Sequence, residues 1–326
     1  MSRAARFRSG DRSDALIVSH ESREHTLRLL RDLAPLRARL AVSVFDNGSR
    51  DGTLEAVERA FPWAQRLESE DNLGYAGALR AALPRLSGER LWLLNADLRV
   101  PDPSAYLRLE GALTGDPSAG AVGPALVDPD GSSSPGGGGA ALSLTSAALH
   151  FAGLSRLPPW RRAGLYLPQA QLPQETIRVD WLAGTAPLIR REALERAGGV
   201  PEAPFLYGED LVLSAALRRA GYRLLYLPSA RLVHVGQGSQ GAPDGRWVEG
   251  TLAVTEPSRR RALAWCFAMG LGGRLALGRL GRALRRDAGA TAERRLEALK
   301  AGAEVALKAG AEVALRTAMG GARGPA

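Results

Sequence analysis

From residue 15 to residue 94 the chain alternates apolar, β-branched runs with stretches of helical spacing, and few folds accept that alternation. Ala15–Ser19, Ala41–Phe45, Trp63–Leu67 and Arg90–Leu94 read as strands. Glu24–Leu33, Thr53–Ala60 and Gly74–Leu86 read as helices between them, with Leu27, Leu30 and Leu33 on one face of the first. Strand and helix recurring about every 25 residues predict βαβ units and a mostly parallel sheet flanked by helices. Such a sheet presents its strand ends, and therefore its ligands, along one edge.

The pattern breaks at Asp128–Gly139, whose sequence DPDGSSSPGGGG predicts a flexible loop. Residues 140–174 are proline-rich and poorly patterned, as expected of a mobile wall over a site. Order returns with Thr176–Ile189, helices over Arg191–Ala197 and Asp210–Ala220, and strands at Tyr222–Tyr226 and Arg231–Val233. Beyond residue 240 the chain turns basic and helical. It carries an octad, Lys300–Leu307, repeated as Lys308–Leu315, which reads as a duplication within a surface helix. The expected organisation is a disordered basic leader over 1–13, one α/β domain over 14–240 and a helical extension over 241–326.

Composition narrows the function. The net charge of +9 is carried almost wholly by arginine, since Lys300 and Lys308 are the only lysines. No aromatic-interleaved basic stripe or base-reading motif accompanies it, so nucleic acid is not an expected partner. The single cysteine, Cys266, excludes an internal disulfide and a cysteine metal cluster. Met1–Arg12 is polar and basic without the apolar centre of a signal peptide, and no run approaches the roughly 18 apolar residues of a spanning helix. The expected location is the cytoplasm or the inner face of a membrane.

Three acidic signatures stand in order. Asp46 follows the second strand in Phe45-Asp46-Asn47-Gly48-Ser49 and reads either as a contact to a nucleotide base or ribose, or as part of an Asn-Gly turn. Asp97 follows the most apolar strand in Asn95-Ala96-Asp97. A carboxylate there must be solvated, capped or metal-bound, and Mg²⁺ or Mn²⁺ often takes only one or two carboxylates. Glu209-Asp210 opens a helix, either as ordinary acidic capping or as a general base for an incoming hydroxyl. Gly74 and Gly77 at the start of another helix would let backbone approach an anion such as diphosphate. His234 follows a strand in a glycine-rich loop and reads as structural or as a contact to metal or diphosphate.

In combination these residues resemble the family-2 inverting glycosyltransferases of GT-A fold, especially the rhamnosyltransferase-like branch. The resemblance runs over residues 14–240 through IVSHES (17–22), FDNGSRDGT (45–53), NLGYAGA (72–78), LLNADL (93–98), WLAGTAPLIRREALERAGGVPE (181–202), FLYGEDLVLSAALRRAGY (205–222) and HVGQGS (234–239). It implies a donor pocket drawn from Ser19, Glu21, Asp46, Gly48, Asn72, Gly74 and Asn95. It implies Asp97 and His234 at the metal, and Asp210, with Glu209 beside it, as the catalytic base. The implied reaction moves a sugar such as rhamnose from a nucleoside-diphosphate donor to a hydroxyl of a glycan or lipid-linked acceptor, with inversion. Val212 and Ala216 depart from the family's second acid and following arginine, and Pro201 replaces an acid. An inactive nucleotide-sugar-binding homologue is therefore the alternative. A sugar-nucleotide pyrophosphorylase is a more distant one, because Ala15–Ser22 lacks its glycine-rich basic loop.

The C-terminal region adds a membrane expectation. Arg259–Arg261 precede the apolar run Ala262–Gly273, and Arg274, Arg279, Arg282, Arg285 and Arg286 follow. An amphipathic helix over 258–290 on an anionic surface competes with a helix packed on the catalytic domain.

Overall fold

The computed structural model describes residues 12–132, 137–167, 175–236, 246–284, 297 and 300–309. The basic leader through residue 11 and residues 310–315 of the octad repeat lie outside these.

The first half is laid down as the alternation predicts. Strands β1 (Ser13–Ser19), β2 (Leu40–Asn47), β3 (Gln65–Ser69) and β4 (Arg90–Asn95) pair in the order β3-β2-β1-β4, all parallel. Helices α1 (Arg23–Leu33), α2 (Thr53–Ala60) and α3 (Gly74–Ala82) connect them. Strands β1, β2 and β4 read as apolar runs because both faces are covered, whereas the edge strand β3 is polar and largely exposed. In β4, Trp92 and Leu94 enter a core shared with α1 and α2, while Leu91 and Leu93 enter a second core with α3. The period of two thus feeds two cores from one strand.

Beyond β4 the sheet becomes mixed. Strand β5 (Leu98–Arg99), helix α4 (Ser104–Gly115) and strand β6 (Ala119–Val127) follow. After the excursion through β7 (Gly138–Gly139), α5 (Leu144–Phe151), β8 (Ile177–Val179) and β9 (Trp181–Leu182), strand β10 (Leu188–Arg190) inserts antiparallel between β4 and β6. Helices α6 (Arg191–Arg196) and α7 (Glu209–Arg219) cover the second core with α3. The single strand β11 (Arg223–His234) joins the two strand segments expected near 222–233. It runs parallel to β6, and the register shifts between Leu227 and Arg231. Its last residues, Val233 and His234, pair antiparallel with Arg99 and Leu98 of β5.

Two expectations need correction. The glycine loop ends in structure: Gly138 and Gly139 pair with Leu182 and Trp181, and a Cβ on Gly139 would collide with the Leu165 carbonyl. The boundary at 240 is no break in packing. Helices α8 (Arg246–Ala253) and α9 (Pro257–Leu284) form a third core with Ala147 and Leu165 of the middle segment. Ala303 and Ala306 of the first octad join that core, so its helix is not wholly a surface element.

Candidate active site

The C-terminal ends of β1, β2 and β4 form one edge, and the strand ends there carry polar residues. At β2, Asp46 is buried and its Oδ1 accepts a hydrogen bond from the Ser49 amide at 2.9 Å, which closes the turn. The turn reading is therefore realised, and no contact to a base is needed to explain Asp46. Asn47 organises the neighbouring loop. Its Nδ2 donates to Asn72 Oδ1 at 2.9 Å, and its Oδ1 accepts from the Leu73 amide at 2.9 Å. Asn72 Oδ1 also accepts from the Gly74 amide, which shapes the start of α3.

Two glycines at this edge have no substitute. Gly48 has φ +79°, and a Cβ there would stand 2.8 Å from the Asp71 carbonyl carbon. Gly74 has φ +69°, and a Cβ would strike the Phe205 carbonyl oxygen. Both positions let one loop lie directly on another.

Ser19 is fully buried and its hydroxyl is bonded to Thr26 at 2.9 Å, which ties the end of β1 to α1. Glu21, at φ +48°, links the loop after β1 to the one after β2. Its amide donates to Ser49 Oγ and its Oε1 accepts from the Arg50 amide, both at 2.9 Å.

Asp97 and His234 come together because β5 pairs with the end of β11. Leu98 lies opposite His234, which sets Asp97 Oδ2 3.4 Å from His234 Nε2. The Val235 amide donates to the Asp97 carbonyl at 3.0 Å. Burial opposes protonation of His234, but the hydrogen bond and charge of Asp97, helped by Asp128, outweigh it and raise its pKa. Asn95 at the end of β4 keeps a buried Oδ1 without a hydrogen-bond partner among the described residues. One carboxylate and one imidazole fit a small hard cation that completes its shell with diphosphate and water. Among the described residues no third His, Cys, Asp or Glu joins them.

The third signature starts α7. Gly208, at φ +91°, turns the chain into the helix. Its carbonyl accepts from the Val212 amide. The Asp210 Oδ1 accepts from the Leu211 amide at 2.8 Å. Burial lifts the Asp210 carboxyl to about 6 against the opposing hydrogen bonds of the Leu211, Asp210 and Gly184 amides. Burial and the charge of Asp210 lift Glu209 to about 7, and Glu209 Oε2 is buried with no partner among the described residues.

Tyr75 ties the signatures together. Its hydroxyl donates to the Gly184 carbonyl at 2.8 Å. Its pKa is raised by burial first and then by the charges of Glu209, Asp210 and Asp97. Tyr75 and Asp210, distant in sequence, both pack against Gly184, each 3.6 Å from where a Cβ on it would stand. Neither Tyr75 nor Asn47 stands out in the sequence, because an aromatic in a helix and an asparagine before glycine read as core and turn. Tyr166, from the poorly patterned segment, is also raised by burial and by Asp210.

The fold is that of the GT-A glycosyltransferases. The chain belongs to glycosyl transferase family 2, whose model matches residues 14–164. It is 34% identical over 230 residues to an N-acetylglucosaminyl-diphospho-decaprenol L-rhamnosyltransferase of Mycobacterium tuberculosis, covering 67% of this chain and 74% of that one. It is 27% identical over 239 residues to the O-antigen biosynthesis protein RfbC of Myxococcus xanthus, covering 70% of this chain and 18% of that one. Among solved structures the fold matches the mannosyltransferase PcManGT of Pyrobaculum calidifontis, in complex with GDP-Man and Mn²⁺. That match has a TM-score of 0.51 at 20% identity, over 97% of this chain and 77% of that one.

Proposed function

We propose that this glycosyltransferase is a metal-dependent, inverting enzyme that transfers a deoxyhexose such as rhamnose from its nucleoside diphosphate to a lipid-linked diphosphosugar of the cell envelope. The observation that carries the reading is the pairing of Asp97 Oδ2 with His234 Nε2 at 3.4 Å together with the packing of Asp210 and Tyr75 against Gly184. One carboxylate lies beside a histidine suited to a metal, and two with raised pKa lie where an acceptor hydroxyl would be deprotonated.

Asp97 and His234 would hold Mg²⁺ or Mn²⁺, which when bound offsets the charge that develops on the leaving diphosphate. The loops held by Asn47, Gly48 and Gly74 shape the donor end of the site. Asp210 accepts the proton of the attacking hydroxyl, and its position is fixed by the Leu211 amide. Glu209, whose Oε2 is buried without a partner among the described residues, is the residue whose charge state is most open to change when the site fills.

The acceptor class follows the relative that acts on a diphospho-decaprenol. Surface chemistry supports it. No helix among the described residues is long and apolar enough to cross a membrane, but α9 is two-faced. Leu263, Phe267 and Leu271 are buried in the third core, while Trp265 and Met269 are exposed, Met269 at 70%. Arg259 and Arg261 flank that outer face. Peripheral contact with an anionic membrane is part of the proposal.

The test is transfer by the purified chain from nucleoside-diphosphate sugars to N-acetylglucosaminyl diphosphate on a short prenyl chain, with Mn²⁺ or with EDTA. Release of nucleoside diphosphate that requires both metal and acceptor, with an inverted anomeric product, is expected. Donor binding without release under any condition would support the inactive homologue instead.

A further inference from the structure

Residues 182–187 (LAGTAP) run from the end of β9 to the start of β10 without a charged side chain, yet they are tied to three elements that build the site. At β4, the Asn95 amide donates to the Thr185 carbonyl and the Leu93 amide to the Pro187 carbonyl, both at 3.0 Å. At α7, Ser214 Oγ accepts from the Leu182 amide at 3.1 Å in a buried bond. Ser214 stands one turn beyond Asp210 and therefore on the same helix face. At α3, the Tyr75 hydroxyl donates to the Gly184 carbonyl at 2.8 Å. Gly184 lies between the last two ties. A Cβ built on it would stand 3.6 Å from Asp210 Cβ and 3.6 Å from Tyr75 Cε1, so both side chains lie against this glycine. Its amide is also among the hydrogen bonds that oppose the rise of the Asp210 pKa.

Glycine has the freest backbone of any residue, whereas a reacting group must be held within about 0.5 Å of its working place. A glycine set against the base therefore needs fixing from outside. Tyr75 is built to supply it. It follows Gly74 at the start of α3, where the Gly74 amide is held by Asn72 Oδ1 at 3.0 Å. Gly74 in turn lies against the Phe205 carbonyl, in the approach to α7. Helix α3 thus meets the surroundings of Asp210 at two points, Gly74 on Phe205 and Tyr75 on Gly184. The Tyr75 ring packs against the second core, a task phenylalanine would do equally. Packing leaves the hydroxyl unexplained.

We infer that Tyr75 is a positioning residue for transfer: its hydroxyl fixes the Gly184 carbonyl, and the glycine so held keeps Asp210 in place for the incoming hydroxyl. The inference rests on Asp210 as the base proposed above. Tyr75 acts on the reaction through Gly184 and gives or takes no proton itself.

The test is rhamnose transfer from its uridine or thymidine diphosphate to N-acetylglucosaminyl diphosphate on a short prenyl chain, in Mn²⁺, by the unaltered chain and by Tyr75→Phe. Phenylalanine keeps the ring and deletes the hydroxyl. kcat should fall about tenfold, the effect of leaving one buried carbonyl unpaired. The Kd of UDP or dTDP with Mn²⁺ should change by less than about twofold, since the lost contact is not to the donor. Tyr106→Phe is the control for a merely structural hydroxyl. Tyr106 is buried at the far end of β1, bonded to Ser13 and Glu110 at 2.8 Å, and its loss should lower the melting temperature and leave kcat unchanged. Added to Asp210→Asn, Tyr75→Phe should cost less than about twofold more, because the hydroxyl acts through the base. The inference is overturned by unchanged kcat in Tyr75→Phe, by an equal loss in Tyr106→Phe, by a loss matched in diphosphate affinity, or by full multiplication with Asp210→Asn. An impaired Asp210→Asn beside a normal Tyr75→Phe sinks this inference alone. Normal kcat in Asp210→Asn, or no transfer by the unaltered chain, sinks the base reading and this inference with it.

Discussion

Glu209 and Asp210 hold their protons in a pH range where exposed carboxylates have lost them, and burial is the first cause for both. A base with a pKa of about 6 must be ionised to act, so kcat/KM should fall as pH drops below about 6. The same shift has a stability consequence. The folded pKa of Asp210 lies above its ordinary 3.8, so the folded chain binds more protons than the unfolded chain between 3.8 and about 6. Stability therefore declines as pH rises through that window, and the full cost persists at neutral pH. Asp210→Asn removes the charge and keeps an acceptor for the Leu211 amide. It should lower transfer by about 10²–10⁴-fold while raising neutral-pH stability by up to about 3 kcal/mol, read as turnover and as denaturant midpoint. A folded variant with near-normal turnover would remove Asp210 as the base. At the metal, Asp97→Ala should abolish the Mn²⁺ dependence of nucleoside-diphosphate affinity, and unchanged metal dependence in titration would release Asp97 from that role. At this scale the sequence names the acids but not their company. Asp97 meets His234 only through the pairing of β5 with β11. Ser19 is bonded to Thr26, and no local pattern announces that Tyr75 packs with Asp210 against Gly184.

Among the elements, the strands buried on both faces were legible because covered parallel strands are continuous apolar runs. Strand β6 was not. Its sequence AGAVGPALV has two glycines and a proline, which normally argue against a strand interior. Gly120 and Gly123 are explained by contact. A Cβ on the first would stand 2.7 Å from Tyr222 Cβ, and on the second 2.7 Å from Leu182 Cδ2. Tertiary contact overrides propensity there. Backbone contact between elements also supports the site. Gly250 of α8 lies against the Tyr207 carbonyl, and Gly208 lies against the Gly250 carbonyl, where a Cβ would approach within 2.7 Å. The turn that aims Glu209 and Asp210 is therefore seated on a helix beyond the expected domain boundary. Gly250→Ala should displace that turn, costing about 1–3 kcal/mol through overpacking and lowering kcat more than donor affinity. Stability and donor affinity both equal to those of the unaltered chain would show that α8 gives the turn no support.

For the whole molecule, the C-terminal helices carry two duties that sequence presents as alternatives. The helical spacing of α9 places Leu263, Phe267 and Leu271 inward, with Phe267 against Phe151 and Trp247, and leaves Trp265 and Met269 outward. Truncation at residue 258 would thus strip the cover from Ala147, Leu165, Val248 and Leu252. It should destabilise the chain and weaken its hold on Tyr166, so the truncated protein is the wrong probe of membrane binding. Trp265→Ser with Met269→Ser changes only the outer face. Burying a large apolar side chain contributes about 1.5–3 kcal/mol, and each arginine near an anionic surface adds about 1 kcal/mol. The double variant should therefore reduce flotation with anionic liposomes at least tenfold at low salt while its melting temperature stays within a few degrees. Binding by the unaltered chain should weaken as salt rises, because its electrostatic part is screened over roughly 10 Å at 0.1 M. Flotation by both proteins to the same extent, or by neither, would leave α9 as a packing helix whose exposed Trp265 and Met269 serve no membrane.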